Sequence, residues 1–331
     1  MIATGIAVTT LASHDLPSVA SLGLLALGSL LCGMGHGPVT ASGSHLLAPR
    51  TPPARRGMIF SLKQCGVPAG AMLIAAMAPA IGVVAGWRAG ALACAAWAVT
   101  VAVALQPLRR GLDADRAPAG TPGRPGAAIR EAVSSLALLR DEPALRAITL
   151  AGAAFGVAQF SFASFFVAWQ VTALGVPLAE AGLRLSIGQA GGLVGRVVWG
   201  LVADRIGARR VLILCGLGTA LSTGLLALAG PSWPEVLVTL VGVVLGATAV
   251  GYNGVLLAEA ARIGLTLGPP GQSGRVGAAT AALQAAFALT QIVMPTAFSV
   301  LVATTGSYAP GFSLCAACGL FGVWCLRGGR R

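Results

Sequence analysis

The chain has 331 residues, of which 56% are hydrophobic and only 10% charged, and its formal net charge is +12. A soluble domain carries about 25% charged residues, so a water-soluble core cannot hide this much apolar surface, whereas a bilayer can. Nucleic acid is excluded as the reason for the positive charge: the basic residues lie in short loops between apolar runs, and no binding motif accompanies them.

The first apolar run, Met1 to Ala12, is too short to span, because twelve helical residues rise only ~18 Å. Nine further segments approach the ~20 residues that the hydrocarbon core requires. They are 18–47, 58–83, 87–106, 147–172, 183–203, 210–230, 234–258, 276–303 and 308–326. Between the third and fourth lies a polar stretch rich in Pro and Gly, containing APAGTPGRPG and ending in the amphipathic AIREAVSSLALLR. It reads as a soluble linker. The expected organisation is a helical bundle over 1–106, a linker over 107–146 and a six-helix bundle over 147–331.

Of the 22 basic residues, all but Lys63, Arg88, Arg184 and Arg196 fall on one set of alternate loops. The positive-inside rule makes that set cytoplasmic, and the C-terminus with it. Arg88 and Arg184 belong to the opposite side; Lys63 and Arg196 fall inside spans. The seven cysteines all lie in apolar segments. Cys315 and Cys318 form a CxxC without a second ligand pair, so they read as helix-packing residues and no metal or other cofactor is expected.

The two halves repeat at an offset of about 220 residues. GMIFSLKQ from Gly57 matches GAATAALQ from Gly277, aligning Gln64 with Gln284. GWRAGALACAA from Gly86 matches GSYAPGFSLCAA from Gly306, and GMGHGPVTASGSHLLAP matches GATAVGYNGVLLAEAAR in its glycine-broken pattern. Two related helical halves joined by a cytoplasmic linker form a common transporter plan.

Residues 195–212 read GRVVWGLVADRIGARRVL, two spans meeting at a short loop. Gly200, Asp204, Arg205, Gly207, Arg209 and Arg210 resemble the G-x-x-x-D-R-x-G-R-R signature of the major facilitator superfamily. Gly207 permits a tight turn, Asp204 is placed to cap the next helix and pair with arginines, and the arginines hold the loop at the surface. The resemblance implies an all-α integral membrane protein with the two-bundle fold of that superfamily and this loop as a gating latch. Aligned by the repeat, Met1 falls within the family's third helix. The expectation is therefore an incomplete N-terminal bundle, about 10 of 12 helices, lacking helices one and two and the first signature copy. SLKQCGVPAG (Ser61–Gly70) and GYNGVLLAEAAR (Gly251–Arg262) are similar to bacterial members near the cyanate-permease-like group.

Charges inside spans are costly and usually functional. Lys63 sits ~10 Å deep if its helix begins at Arg56, and Arg196 ~12 Å from Asp204. No carboxylate lies deep in any span, so two embedded cations point to an anionic substrate such as a small organic acid. The structural alternatives are snorkelling for Lys63 and a bond to backbone carbonyls or the gating loop for Arg196. Gln64, Asn253 and Gln284 complete the candidate substrate set. His36, His45 and Glu259 are candidates for proton coupling. Small-xxx-small pairs such as Gly188 with Gly192, Gly191 with Gly195 and Gly242 with Gly246 read as packing surfaces.

The expected function is secondary active transport of a small organic anion by alternating access, in a bacterial inner membrane and as a monomer, with a proton or counter-ion as co-substrate. The rivals are a proton-coupled drug exporter and a truncated membrane protein that does not transport. An enzyme is not expected, because neither paired catalytic carboxylates nor a nucleophile–histidine arrangement occurs at usable spacing.

Overall fold

The structure is a computed structural model that describes residues 2–11, 18–50, 56–108, 138–267 and 276–328; the side chains of 18, 36–50, 56–63, 265 and 276–277 fall outside the described set. Most of the expected linker lies outside it too. Among the described residues every regular element is helical. In chain order these are α1 (Ile2–Thr9), α2 (Ser18–Arg50), α3 (Arg56–Ala85), α4 (Trp87–Ala104), α5 (Pro143–Leu174), α6 (Leu178–Ile206) and α7 (Ala208–Leu228). Then come α8 (Glu235–Leu245), a π-helical turn (Gly246–Val250), α9 (Asn253–Thr266), α10 (Val276–Thr305) and α11 (Ala309–Gly328). Among the described residues, eight helical segments are long and apolar enough to cross a membrane, with Val19–Gly35 a shorter apolar stretch.

Eight of the nine expected spans are present with shifted ends; the ninth, 18–47, falls in α2, where only Val19–Gly35 is a continuous apolar stretch among the described residues, and most of the expected amphipathic linker helix lies outside them. The span expected at 183–203 begins five residues earlier, directly after Pro177, and takes in both Glu180 and Arg184. Arg184, at the very edge of the expected span and assigned by charge to the opposite loops, lies in the second turn of the helix. It is 5% exposed and pairs with Glu180 at 2.5 Å and with Glu235, at the start of α8, at 3.0 Å. Paired in this way the charges are tolerated within the helix, so the apolar boundary read from the sequence stops short. The span expected at 234–258 runs through the π turn as one segment, Glu235–Gly264.

The chain divides into two compact units, one of Met1–Lys63 and Leu73–Thr121, the other of Gln64–Met72 and Pro122–Arg331. In the first, α1 crosses α2 where glycines face each other. A Cβ on Gly5 would lie 2.5 Å from the Gly28 carbonyl oxygen, and one on Gly28 would lie 2.6 Å from that of Gly5. The absence of side chains there is what lets the backbones meet. Much of α3 and α4 is exposed apolar surface, including Val83, Val84, Trp87 and Val103, as lipid-facing helices require.

The second unit is built around α5, whose Leu145, Ile148 and Phe155 sit in a core with Val211, Leu212, Cys215, Tyr252, Leu256 and Leu283. A run of rings extends it: Phe162–Phe166 at 4.8 Å, Phe166–Trp169 at 5.8 Å, Trp169–Phe312 at 5.4 Å and Phe312–Phe298 at 5.5 Å between centroids. Lipid tails are as apolar as these side chains, so close packing and dispersion, not water exclusion, hold such a core together.

The glycine pairs on α6 form a seam with α8 and the π turn. A Cβ on Gly191 would lie 2.5 Å from the Val243 carbonyl oxygen, one on Gly195 2.5 Å from that of Ala247, and one on Gly246 would collide with that of Gly188. The π turn widens the helix, with Gly251 N–H reaching back five residues to the Gly246 carbonyl at 3.2 Å. Trp199 of α6 then donates its indole N–H to the Ala247 carbonyl at 2.8 Å. A carbonyl loosened by the irregular turn is thus supplied with a donor from the neighbouring helix.

Candidate substrate site and gating loop

Arg196 lies on α6 one residue past the seam and is 6% exposed. Its Nη1 donates to the Gln64 carbonyl at 2.5 Å. Its Nε has no hydrogen-bond partner among the described residues. Cys65 and Tyr252 lie within electrostatic reach of the guanidinium, and among the described residues no carboxylate forms an ion pair with it. This is a buried cation with unused hydrogen-bonding capacity inside a span, an arrangement tolerated where something complementary binds or where the charge holds the fold.

Tyr252 is fully buried two residues after the π turn, and its hydroxyl donates to the Gly152 carbonyl of α5 at 3.2 Å. The next residue, Asn253, donates to the side-chain oxygen of Gln159 on α5 at 3.1 Å and to the Val250 carbonyl at 3.3 Å. Two half-buried amides therefore meet on facing helices. Gln159 did not figure among the sequence candidates. The signal that finds it is the one that found Asn253, an uncharged polar residue alone in an apolar span.

Gln64 is half-buried, and it is its backbone that Arg196 engages. Gln284 is exposed on α10 and has no hydrogen-bond partner among the described residues. The side chains of Lys63, His36 and His45 lie outside the described residues. Of the candidate substrate set, the structure thus brings Arg196 and Gln64 together directly and joins Asn253 to Gln159.

The loop of the signature lies between α6 and α7. Gly207 has φ +90°, a value that favours glycine, and it is itself the N-cap of α7. Asp204 is exposed, and no side chain caps α7. The expected Asp204 cap is not formed, because the chain enters the helix at Gly207, three residues beyond it. Gly200 is half-buried, while Arg205 and Arg210 are exposed. Arg209 turns inward and donates to the Leu326 carbonyl in the last turn of α11, where carbonyls lack intrahelical donors.

Gly207 and Arg209 line a pocket of about 370 Å³ together with Ile148, Glu259, Arg262 and Leu326. Glu259, 14% exposed, accepts two bonds from Arg262, at 2.8 Å from Nε and 2.6 Å from Nη2. The structure therefore places Glu259 beside the loop between α6 and α7, as one half of a two-pronged ion pair.

Membrane-length helices packed through glycines, with an arginine-rich glycine turn joining two of them, define a polytopic helical membrane protein. The family model of the Major Facilitator Superfamily matches residues 1–268, and the chain belongs to that superfamily, a family of transporters and not of enzymes. An uncharacterized transporter of this type from Mycobacterium tuberculosis (strain CDC 1551 / Oshkosh) is 28% identical over 326 residues, covering 95% of this chain and 66% of the relative. A second, from strain ATCC 25618 / H37Rv, is 28% identical over 214 residues, covering 63% of this chain and 44% of the relative. The chain therefore spans less than two thirds of the length of either relative. Among solved structures, the E. coli fucose:proton symporter matches all of this chain and 83% of its own, at TM-score 0.59 and 15% identity. Its outward conformation gives 0.60 over 82% of that chain, also at 15% identity. At that identity the likeness is one of fold.

Proposed function

We propose that this chain is a secondary active transporter that moves a small organic anion by alternating access of two helical bundles, 1–106 and 147–331. Membership of the superfamily supports the transport class. The observation that carries the anion is Arg196: a cation buried in a span, unpaired with any described carboxylate and with Nε unpartnered among the described residues. An anionic oxygen is the ligand that matches such a guanidinium. Lys63, one residue before the carbonyl that Arg196 contacts, adds a second cation, and Gln64, Asn253 and Gln284 supply neutral hydrogen bonds. The motif SLKQCGVPAG supports a placement near the cyanate-permease-like group.

The charge asymmetry of the loops supports a cytoplasmic C-terminus in a bacterial inner membrane; a monomer working with a proton or counter-ion completes the reading. His36 and His45 are the proposed proton carriers, because Glu259 already has a fixed partner in Arg262.

The test is uptake of a panel of small carboxylates into proteoliposomes. Lys63→Ala is expected to reduce anion uptake at least tenfold, and Arg196→Lys to raise KM more than it lowers kcat. A proton-coupled exporter of hydrophobic drugs would instead keep its activity when Lys63 is neutralised, and full anion uptake by Lys63→Ala overturns the anion site.

A further inference from the structure

Helix α3 runs unbroken from Arg56 to Ala85 although Pro68 lies inside it. Proline has no amide N–H, so the carbonyl four residues earlier receives no donor from its own helix. That carbonyl belongs to Gln64. In a bilayer no water stands in for the missing donor, and an unpaired carbonyl there is strongly disfavoured. The donor that reaches it is Arg196 Nη1, from α6, at 2.5 Å. The bond is charge-assisted and hence stronger than the amide bond it replaces. A gap made by one residue on α3 is filled by one residue on α6.

We propose that Pro68, the Gln64 carbonyl and Arg196 form a latch that holds segment Gln64–Met72 of α3 against α6. The segment can part from α6 only by leaving the Gln64 carbonyl without a donor, so the contact releases as a discrete step. Arg196 acts here as a positioning residue, and Pro68 is what makes its bond necessary. An alanine at position 68 would restore the N–H, close the helical bond on Gln64 and make the arginine dispensable for the contact.

Cys65 provides a reporter, because it adjoins Gln64 and is 7% exposed. The experiment is alkylation of the full chain in membrane vesicles by N-ethylmaleimide, with modification at Cys65 followed by peptide mass spectrometry. The unaltered protein should react slowly. Arg196→Met should react at least tenfold faster, whereas Arg196→Lys, which keeps an N–H donor, should stay within about threefold of the unaltered rate. Adding Pro68→Ala to Arg196→Met should return the rate to the slow value. The same acceleration whichever residue occupies position 68, or no acceleration in Arg196→Met, overturns the latch. If Arg196→Met alone fails to accumulate in the membrane, the double variant should restore its level, and failure of that rescue also overturns it.

Discussion

Asn253 and Gln159 show how little energy separates a binding residue from a packing residue inside a membrane. Their bond at 3.1 Å joins α9 to α5, and interhelical side-chain bonds of this kind contribute only about 0.6 kcal/mol on average. Removing either amide should therefore leave the fold nearly intact while removing a polar contact from the proposed site. Asn253→Ala and Gln159→Ala are each expected to cut anion uptake at least fivefold with a melting temperature within about 2 °C of the parent, and the double variant to be no worse than the weaker single. Uptake losses that multiply in the double variant would show that the two amides do not act as a pair. Gln159 carried a sequence signal only as an uncharged polar residue in an apolar span, and neither its bond to Asn253 nor the partner of Arg196 was legible in the sequence. The candidates there were chosen by depth and charge, and what each one touches depends on a residue on another helix. Arg196 itself was legible, because a charge in an apolar run stands out. The structure adds that the carbonyl it holds is the one Pro68 leaves free.

At the scale of elements, the seam between α6, α8 and the π turn tests whether close backbone approach holds the second unit together. A methyl group at Gly246 has the Gly188 carbonyl in its place, and backbone cannot rotate aside as a side chain can. Gly246→Ala should destabilise the protein at the upper end of overpacking penalties, about 3 kcal/mol or more. Gly254→Ala, where nothing lies within 4 Å, should be neutral or slightly stabilising, since alanine is the better helix former by about 1 kcal/mol. Thermal unfolding in detergent compares the two directly, and an equal response would remove the seam from the account of stability. The glycine spacing on α6 already identified a packing face. The π turn opposite it was not readable, because GATAV has no composition that sets it apart from an α-helix. Its irregularity is sustained by Trp199, which lies on a different element.

At the scale of the whole molecule, charge and hydropathy predict topology. A fluorescent-protein fusion after Arg331 should be bright and an alkaline-phosphatase fusion at the same point inactive; the reverse pattern would invert the assigned orientation. The spans themselves were determined by the sequence alone, with ends shifted by a few residues. Backbone groups in hydrocarbon must be paired internally, so any sufficiently long apolar run must be helical. The turn at Gly207 was determined in the same local way, by a residue free to adopt φ +90°. The expected Asp204 cap failed because capping depends on where the helix starts, and that point is Gly207. Only the tertiary structure decided which polar groups meet: Arg196 with the Gln64 carbonyl, 132 positions away, Asn253 with Gln159, Arg209 with the end of α11, and Arg184 with Glu235. The physical reason is that hydrophobicity acts on each segment separately, while a hydrogen bond needs two partners within about 3 Å, and only the packing of helices sets that distance.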